Sequence, residues 1–291
     1  MEKQQKLGTI KGKGERTLFI VFFVIFVVYA ITLLCPVLWL FLSSLKGKLE
    51  YEMSSPFALP EHWEFGNYIE CFQTLNVRET GYIGMVWNSL WMTGLSIGLG
   101  IFTSSAVAYV VAKLKFPGRK LIYGIVVLQM LLPTYGSMAA SLVLQKTLGI
   151  YDTPIQVIVS SFAVGGAKFL ILYSFFRGIS WEYAEAAKID GASNLMIFLK
   201  IMFPQAIAPI MTFALGDFVA GWNDYMTALI YMPSYPTLAT GLYKYESAMT
   251  RAVDMPVYFR GVLLSAIPAV TIFLAFRDTF MSSLSMGGLK G

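Results

Sequence analysis

From Thr17 to Leu42 the chain runs without one charged residue, and a run of that length leaves little choice of fold. About 20 mostly apolar residues cross the hydrocarbon core of a bilayer. Lipid offers no hydrogen bonds, so the segment must satisfy its own backbone, as a helix does. Five further segments meet the same criterion: Met85–Ala112, Leu121–Leu144, Pro154–Phe176, Gln205–Tyr231 and Arg260–Phe280. Lys11, Lys13 and Arg16 precede the first run in the manner of a signal peptide. The run is too long for a signal h-region and no small-residue cleavage site follows, so it reads as a retained anchor. Only 13% of the 291 residues are charged, against about a quarter in a soluble domain.

Charge sets the orientation, because short cytoplasmic loops are enriched in Lys and Arg. The tail 1–16 carries Lys3, Lys6, Lys11, Lys13 and Arg16, and the connection from Lys113 to Lys120 holds Lys113, Lys115, Arg119 and Lys120 without an acid. The long loop 43–84 instead carries Glu50, Glu52, Glu61, Glu64, Glu70 and Glu79 against Lys46, Lys48 and Arg78. The expected fold is therefore an all-α polytopic membrane protein of six spans over 17–280, with both termini, 1–16 and 281–291, in the cytoplasm. Pro56, Pro60, Trp63, Phe65 and Tyr68 give the loop 43–84 the turns and aromatic anchors of a folded outer cap. His62 is the one histidine, and Cys35 and Cys71 lie in different surroundings. Neither a disulfide framework nor a zinc site is indicated, and His62 and Cys71 read as ordinary loop residues. No nucleophile–base pair and no nucleic-acid stripe is present.

The connection 178–204 is a polar island between apolar spans. Ser180 is placed to cap a helix from Trp181 to Asp190, with Glu182 in its first turn. Gly191 supplies a left-handed end. Ser193 caps a second helix running to Phe203, and Pro204 ends it. Ala184, Ala186 and Ala187 keep one surface small enough for a partner to approach. A hairpin lying on lipid headgroups is the plainer reading, but the acids Glu182, Glu185 and Asp190 suit it poorly.

The order Glu185-Ala186-Ala187, Gly191, Ile201-Met202-Phe203-Pro204 resembles the EAA loop of ABC importer permeases. Phe175-Phe176-Arg177, Ile189-Asp190-Gly191-Ala192-Ser193, Gly221-Trp222-Asn223-Asp224 and the tail Gly287-Gly288-Leu289-Lys290-Gly291 are similar to the carbohydrate, maltose-type branch. Ser180 stands where that family usually has proline, and Phe203 where it usually has leucine. The resemblance implies an ABC type I importer permease fold with a cytoplasmic coupling helix, in the bacterial cytoplasmic membrane. It implies a second homologous permease, two ABC ATPase subunits, an extracellular solute-binding protein and a sugar substrate. It puts ATPase docking on Glu182, Glu185, Ala186, Ala187, Asp190, Gly191, Ala192, Ser193 and Pro204, and a further ATPase contact on Gly287, Gly288, Leu289, Lys290 and Gly291. ATP and Mg would be used by the partner ATPase, with no cofactor, metal or catalytic residue on this chain. A phosphate-binding loop needs G-x-x-x-x-G-K-[ST]. Gly8, Gly12 and Gly14 fail that spacing, and Ser285-Met286-Gly287-Gly288-Leu289 sits at the end of a membrane chain.

Ionisable residues within spans face a cavity or a partner. At 1.5 Å per residue, Lys168 lies about 12 Å from the cytoplasmic end of its span and Asp217 about 18 Å into the next, within reach of a lysine stem. Asp217, Trp222, Asn223 and Asp224 are the candidate translocation-pathway residues, with Asp217 and Asp224 on one helical face. A purely structural Lys168–Asp217 pair is the equal alternative. Gly94, Gly98 and Gly100, with Ser96, Thr103, Ser104 and Ser105, read as a helix-packing face rather than a binding site. Pro133, Pro209 and Pro268 are candidate kinks. Tyr135, Trp222, Tyr225 and Tyr231 read as interfacial anchors. An ion-coupled secondary transporter would show inverted repeats and broken helices carrying ion ligands, for which the sequence gives no sign. Peptide or amino-acid cargo is the weaker option beside sugar.

Overall fold

A computed structural model describes residues 12–132, 136–164, 166–248 and 254–287. The anchor is helix α1 (Lys13–Ser44), exposed along its apolar length and packed on the final helix. The loop after it is folded: α2 (Lys48–Met53), α3 (Asn67–Thr74) and a two-residue antiparallel pair, β1 (Asn76–Val77) with β2 (Thr80–Gly81). The chain then enters α4 (Tyr82–Lys113), the central helix of the molecule.

The next three expected spans are each two helices rather than one. They are α5 (Arg119–Leu131) with α6 (Ser137–Thr147), α7 (Ile155–Ser161) with α8 (Gly166–Gly178), and, beyond the polar island, α12 (Ile207–Trp222) with α13 (Met226–Tyr231). Left-handed glycines mark the first two breaks, Gly136 at φ +81° and Gly166 at φ +71°. At the third, Asp224 leaves the helix to cap α13: its Oδ1 accepts the Thr227 N–H at 3.0 Å. The expectation of unbroken spans is corrected, and with it the ground on which an ion-coupled carrier was set aside. Among the described residues, however, no cluster of acids, His or Cys is arranged to hold an ion. Pro209 sits in the first turn of α12, where a proline removes no helical hydrogen bond. Pro133 and Tyr135 lie outside the described residues.

The island itself holds α9 (Glu182–Ile189), α10 (Asn194–Ile197), a π turn (Phe198–Met202) and α11 (Phe203–Gln205). A further helix, α14 (Leu238–Ser247), precedes the last, α15 (Met255–Gly287), which begins before the expected Arg260. By length and composition α1, α4 and α15 are each able to cross a membrane, and two bent pairs, α7–α8 and α10-to-α11 with α12, raise that to five.

Of the apolar cores strung along α4, two lie towards its ends. One, at the basic end, gathers Tyr109, Phe176, Ile197, Phe198 and Met202. The other, at the capped end, gathers Cys71, Leu75, Tyr82, Met85, Trp222 and Leu242. Cys71 is thus a buried member of a core, not an ordinary loop residue. Arg260 locks the cap to α15: its Nε donates to Ser44 O (2.8 Å), its Nη2 to Lys46 O (2.9 Å) and its Nη1 to Glu70 Oε2 (3.3 Å). A buried guanidinium needs such a full set of acceptors.

Candidate functional site

Two features are the candidates: the hairpin between α8 and α12, and a polar cavity between the two cores.

The hairpin is held by backbone chemistry that its sequence dictates. Ser180 Oγ accepts the Glu182 N–H at 3.3 Å, and α9 runs from Glu182 to Ile189, a residue shorter at each end than the capping pattern alone implies. Glu182 and Glu185 occupy its first turn and Lys188 its last, the favourable sense for the helix dipole. Gly191 stands at φ +82°. Its N–H bonds Lys188 O at 3.0 Å and the Ala192 N–H bonds Ala187 O at 2.9 Å, the paired bonds of a Schellman turn. Ser193 Oγ then accepts the Met196 N–H at 3.3 Å and starts α10.

Pro204 does not stop the second helix. It lies within α11, and the π turn comes immediately before it, with the Phe203 N–H reaching back to Phe198 O. Proline cannot donate and its ring crowds the carbonyl four residues earlier; widening the preceding turn accommodates both. The break follows at Ala206, where the segment Asn194–Gln205 meets α12 at 76°.

The hairpin has two faces, and one differs from expectation. Ala184 and Ala187 are buried in the chain's own core with Phe176, Ile197 and Phe198. Their small side chains let α9 lie close on the helix ends, so Ala187 is a packing residue and not part of the outward surface. Glu182, Glu185, Ala186, Asp190, Gly191 and Ser193 are exposed. So are three residues outside the expected docking set: Tyr183, Leu195 (64% exposed) and Ile189 (87% exposed). Their signal was present, since Ile189 falls off the face set by Ala184 and Ala187 at helical spacing. Ile189 thus stands exposed beside Asp190, on the side of α9 away from Ala184 and Ala187. Gly287 ends α15; Gly288, Leu289, Lys290 and Gly291 lie outside the described residues.

The cavity has a volume of about 590 Å³. Thr93, Ser96, Gly100 and Ser104 of α4, Ser160 and Ser161 of α7, Lys168 of α8, and Asp217, Gly221 and Asp224 line it. Lys168 and Asp217 form an ion pair across it. Asp224 is occupied by the N–H and hydroxyl of Thr227.

Trp222 and Asn223 do not line this cavity. The Trp222 indole is buried and donates to Ser265 O at 2.9 Å, and Asn223 Nδ2 bonds Val219 O at 2.8 Å. Tyr225 stacks on Tyr243 at 4.3 Å and Tyr231 Oη donates to Met138 O at 3.3 Å. The face of α4 assigned to packing is corrected in part. Nothing approaches a Cβ built on Gly94 or Gly98 within 4 Å, while Thr93, Ser96, Gly100 and Ser104 line the cavity. Beside this stretch of α4 the close approach is at Gly221, where a Cβ would stand 3.1 Å from Thr93 Cγ2.

Comparison with known proteins agrees with this architecture. Residues 96–285 match the family described as binding-protein-dependent transport system inner membrane component. The chain is 27% identical to the diacetylchitobiose uptake system permease protein of Streptomyces coelicolor, over 98% of this chain and 93% of that one. It is 27% identical to the trehalose transport system permease protein of Mycobacterium tuberculosis (89% and 93%) and 25% to the galactooligosaccharides transport system permease protein of Bacillus subtilis (90% and 92%). Its fold matches a chain in the crystal structure of a bacterial ABC transporter that imports the acidic polysaccharide alginate. The TM-score is 0.81 at 20% identity, covering 94% of this chain and 100% of the other.

Proposed function

The chain belongs to the family of binding-protein-dependent transport system inner membrane components, and on that premise we propose that it is one of two related permeases in an ATP-driven sugar importer. It spans the membrane six times with both termini inside, takes cargo from an extracellular binding protein, and docks an ATPase subunit on the hairpin. ATP and Mg are held by the two ATPase subunits, not by this chain.

The observation that carries the proposal is the outward face of the hairpin, where Tyr183, Ile189 and Leu195 stand exposed among Glu182, Glu185 and Asp190. The buried face of the same hairpin is fixed to the ends of α4 and α8, so a push cannot be absorbed by a loose loop. It passes through the bend at Ala206 into α12, and α12 carries Asp217 and Gly221 into the cavity wall. Closure of the ATPase pair therefore becomes a displacement of one cavity wall against α4, which is the alternating access that import needs.

Sugar cargo is supported by the names of the relatives and by the hydroxyls of Thr93, Ser96, Ser104, Ser160 and Ser161 around the cavity. Asp217 and Asp224 are the pathway residues we retain. Co-expression with its encoded neighbours, copurification, and ATPase assays with binding protein over a sugar panel test the proposal. A sugar-loaded binding protein is expected to stimulate hydrolysis. Uptake driven by a sodium or proton gradient without an ATPase would refute it.

A further inference from the structure

A second cavity, of about 610 Å³, opens where α4 ends, between the short connection to α5 and the start of the hairpin. Lys113, Lys115 and Lys188 line it together with Trp181, Leu114 and Phe116, and no described acidic residue does. Lys113 is built in: its amino group donates to Arg177 O at 3.4 Å and to Ile179 O, the carbonyls left open at the end of α8. Lys188 stands over the Trp181 ring with its Nζ 5.3 Å from the centroid. Lys115 and Phe116 are shared with an adjoining cavity lined by Arg119 and Lys120.

We propose that this cavity binds the headgroup of an anionic phospholipid of the cytoplasmic leaflet. Its depth points to lipid, since Lys113 is the last residue of a membrane-crossing helix and Arg119 the first residue of the next helix. Its chemistry has the matching division. Leu114 and Phe116 offer an apolar floor, Trp181 is an aromatic of the kind that settles at the interface, and the lysines offer charge to a phosphate. Basic pockets between spans on this side are where anionic headgroups bind. The site rests on the membrane orientation alone and not on the identity of the cargo. Because Trp181 and Lys188 belong to the hairpin, a bound lipid would bear on the element that couples the motor to the cavity.

The test uses the copurified transporter in mixed phosphatidylcholine and phosphatidylglycerol nanodiscs, followed by native mass spectrometry of the lipids retained. Wild type is expected to keep phosphatidylglycerol over phosphatidylcholine. Each lysine near an anionic surface contributes about fivefold to affinity, so Lys115→Gln with Lys188→Gln should lower that retention on the order of twentyfold. Both side chains are exposed, and a thermal melt identical to wild type shows that the variant is folded. Equal retention by wild type and variant, or equal retention of the two lipids, overturns the proposal. Displacement of the lipid by millimolar inorganic phosphate would reassign the cavity to a free anion and overturn it as well.

Discussion

Gly191 offers a perturbation whose size follows from the backbone. At φ +82° a residue with a side chain is strained by roughly 1–2 kcal/mol. Among the described residues nothing lies within 4 Å of the Cβ that a substitution would add, so no clash contributes and the strain stands alone. If the turn opens to relieve it, two hydrogen bonds are lost, at about 1 kcal/mol net each. Gly191→Ala should therefore cost the hairpin about 1 kcal/mol, and Gly191→Val about 2, because a branched residue is a true outlier there. Asparagine tolerates the left-handed region, so Gly191→Asn should cost least. Gly191→Pro cannot reach positive φ and also removes the N–H that Lys188 O accepts. The assay is sugar taken up per ATP hydrolysed in proteoliposomes, beside a thermal melt of each variant. The expected order of coupling is Gly, Asn, Ala, Val, Pro. A docked partner clashing with the added atoms would rank the variants by size and put Asn below Ala. That ranking, or normal coupling in the Pro variant, would refute the backbone argument.

Further outcomes are expected. Glu185→Lys changes an exposed side chain and should destabilise the hairpin by only about 1 kcal/mol, through reversal of a favourable charge in the first turn of α9, while lowering uptake per ATP; unchanged coupling would remove Glu185 from the docking face. Lys168→Met or Asp217→Leu alone strands a charge and should lower folded yield more than the double variant, as a half-buried charge loses its partner. Full transport by the double variant would reduce the pair to a structural one. A side chain at Gly261 would meet Leu75 Cδ1 at 2.5 Å and Leu242 Cδ2 at 2.8 Å, so Gly261→Val should destabilise the cap by about 1–3 kcal/mol and open Cys71 to maleimide. Burial pushes the Cys71 thiol from its ordinary 9.0 up to about 11. The cap keeps this contribution below pH 9 and loses it as pH rises towards 11, which a pH series of melts against Cys71→Ala would reveal.

Much of the hairpin was legible in the chain, because its determinants are local. Ser180, Gly191 and Ser193 act on backbone groups within a few residues of themselves, and the structure places each of them in that role. The outward partners were harder. Ala184 and Ala187 look like a smooth docking stripe until the ends of α4 and α8 cover them, and only then does Ile189 become the exposed residue. Broken spans escaped notice for a related reason. An apolar run records that a segment suits lipid, whereas a break at Asn223–Tyr225 depends on Asp224 finding Thr227.

Membership of the membrane and the hairpin's turns and caps were determined by sequence alone, through composition and short-range backbone chemistry, and the family through motifs that resemble a known one. Tertiary structure decided the rest. It turned the small and hydroxyl residues of α4 from a packing stripe into a cavity wall, paired Lys168 with Asp217 across 49 positions of chain, and set Arg260 beneath the cap. Such contacts join residues far apart in sequence, and no local pattern records which distant groups will satisfy a buried charge.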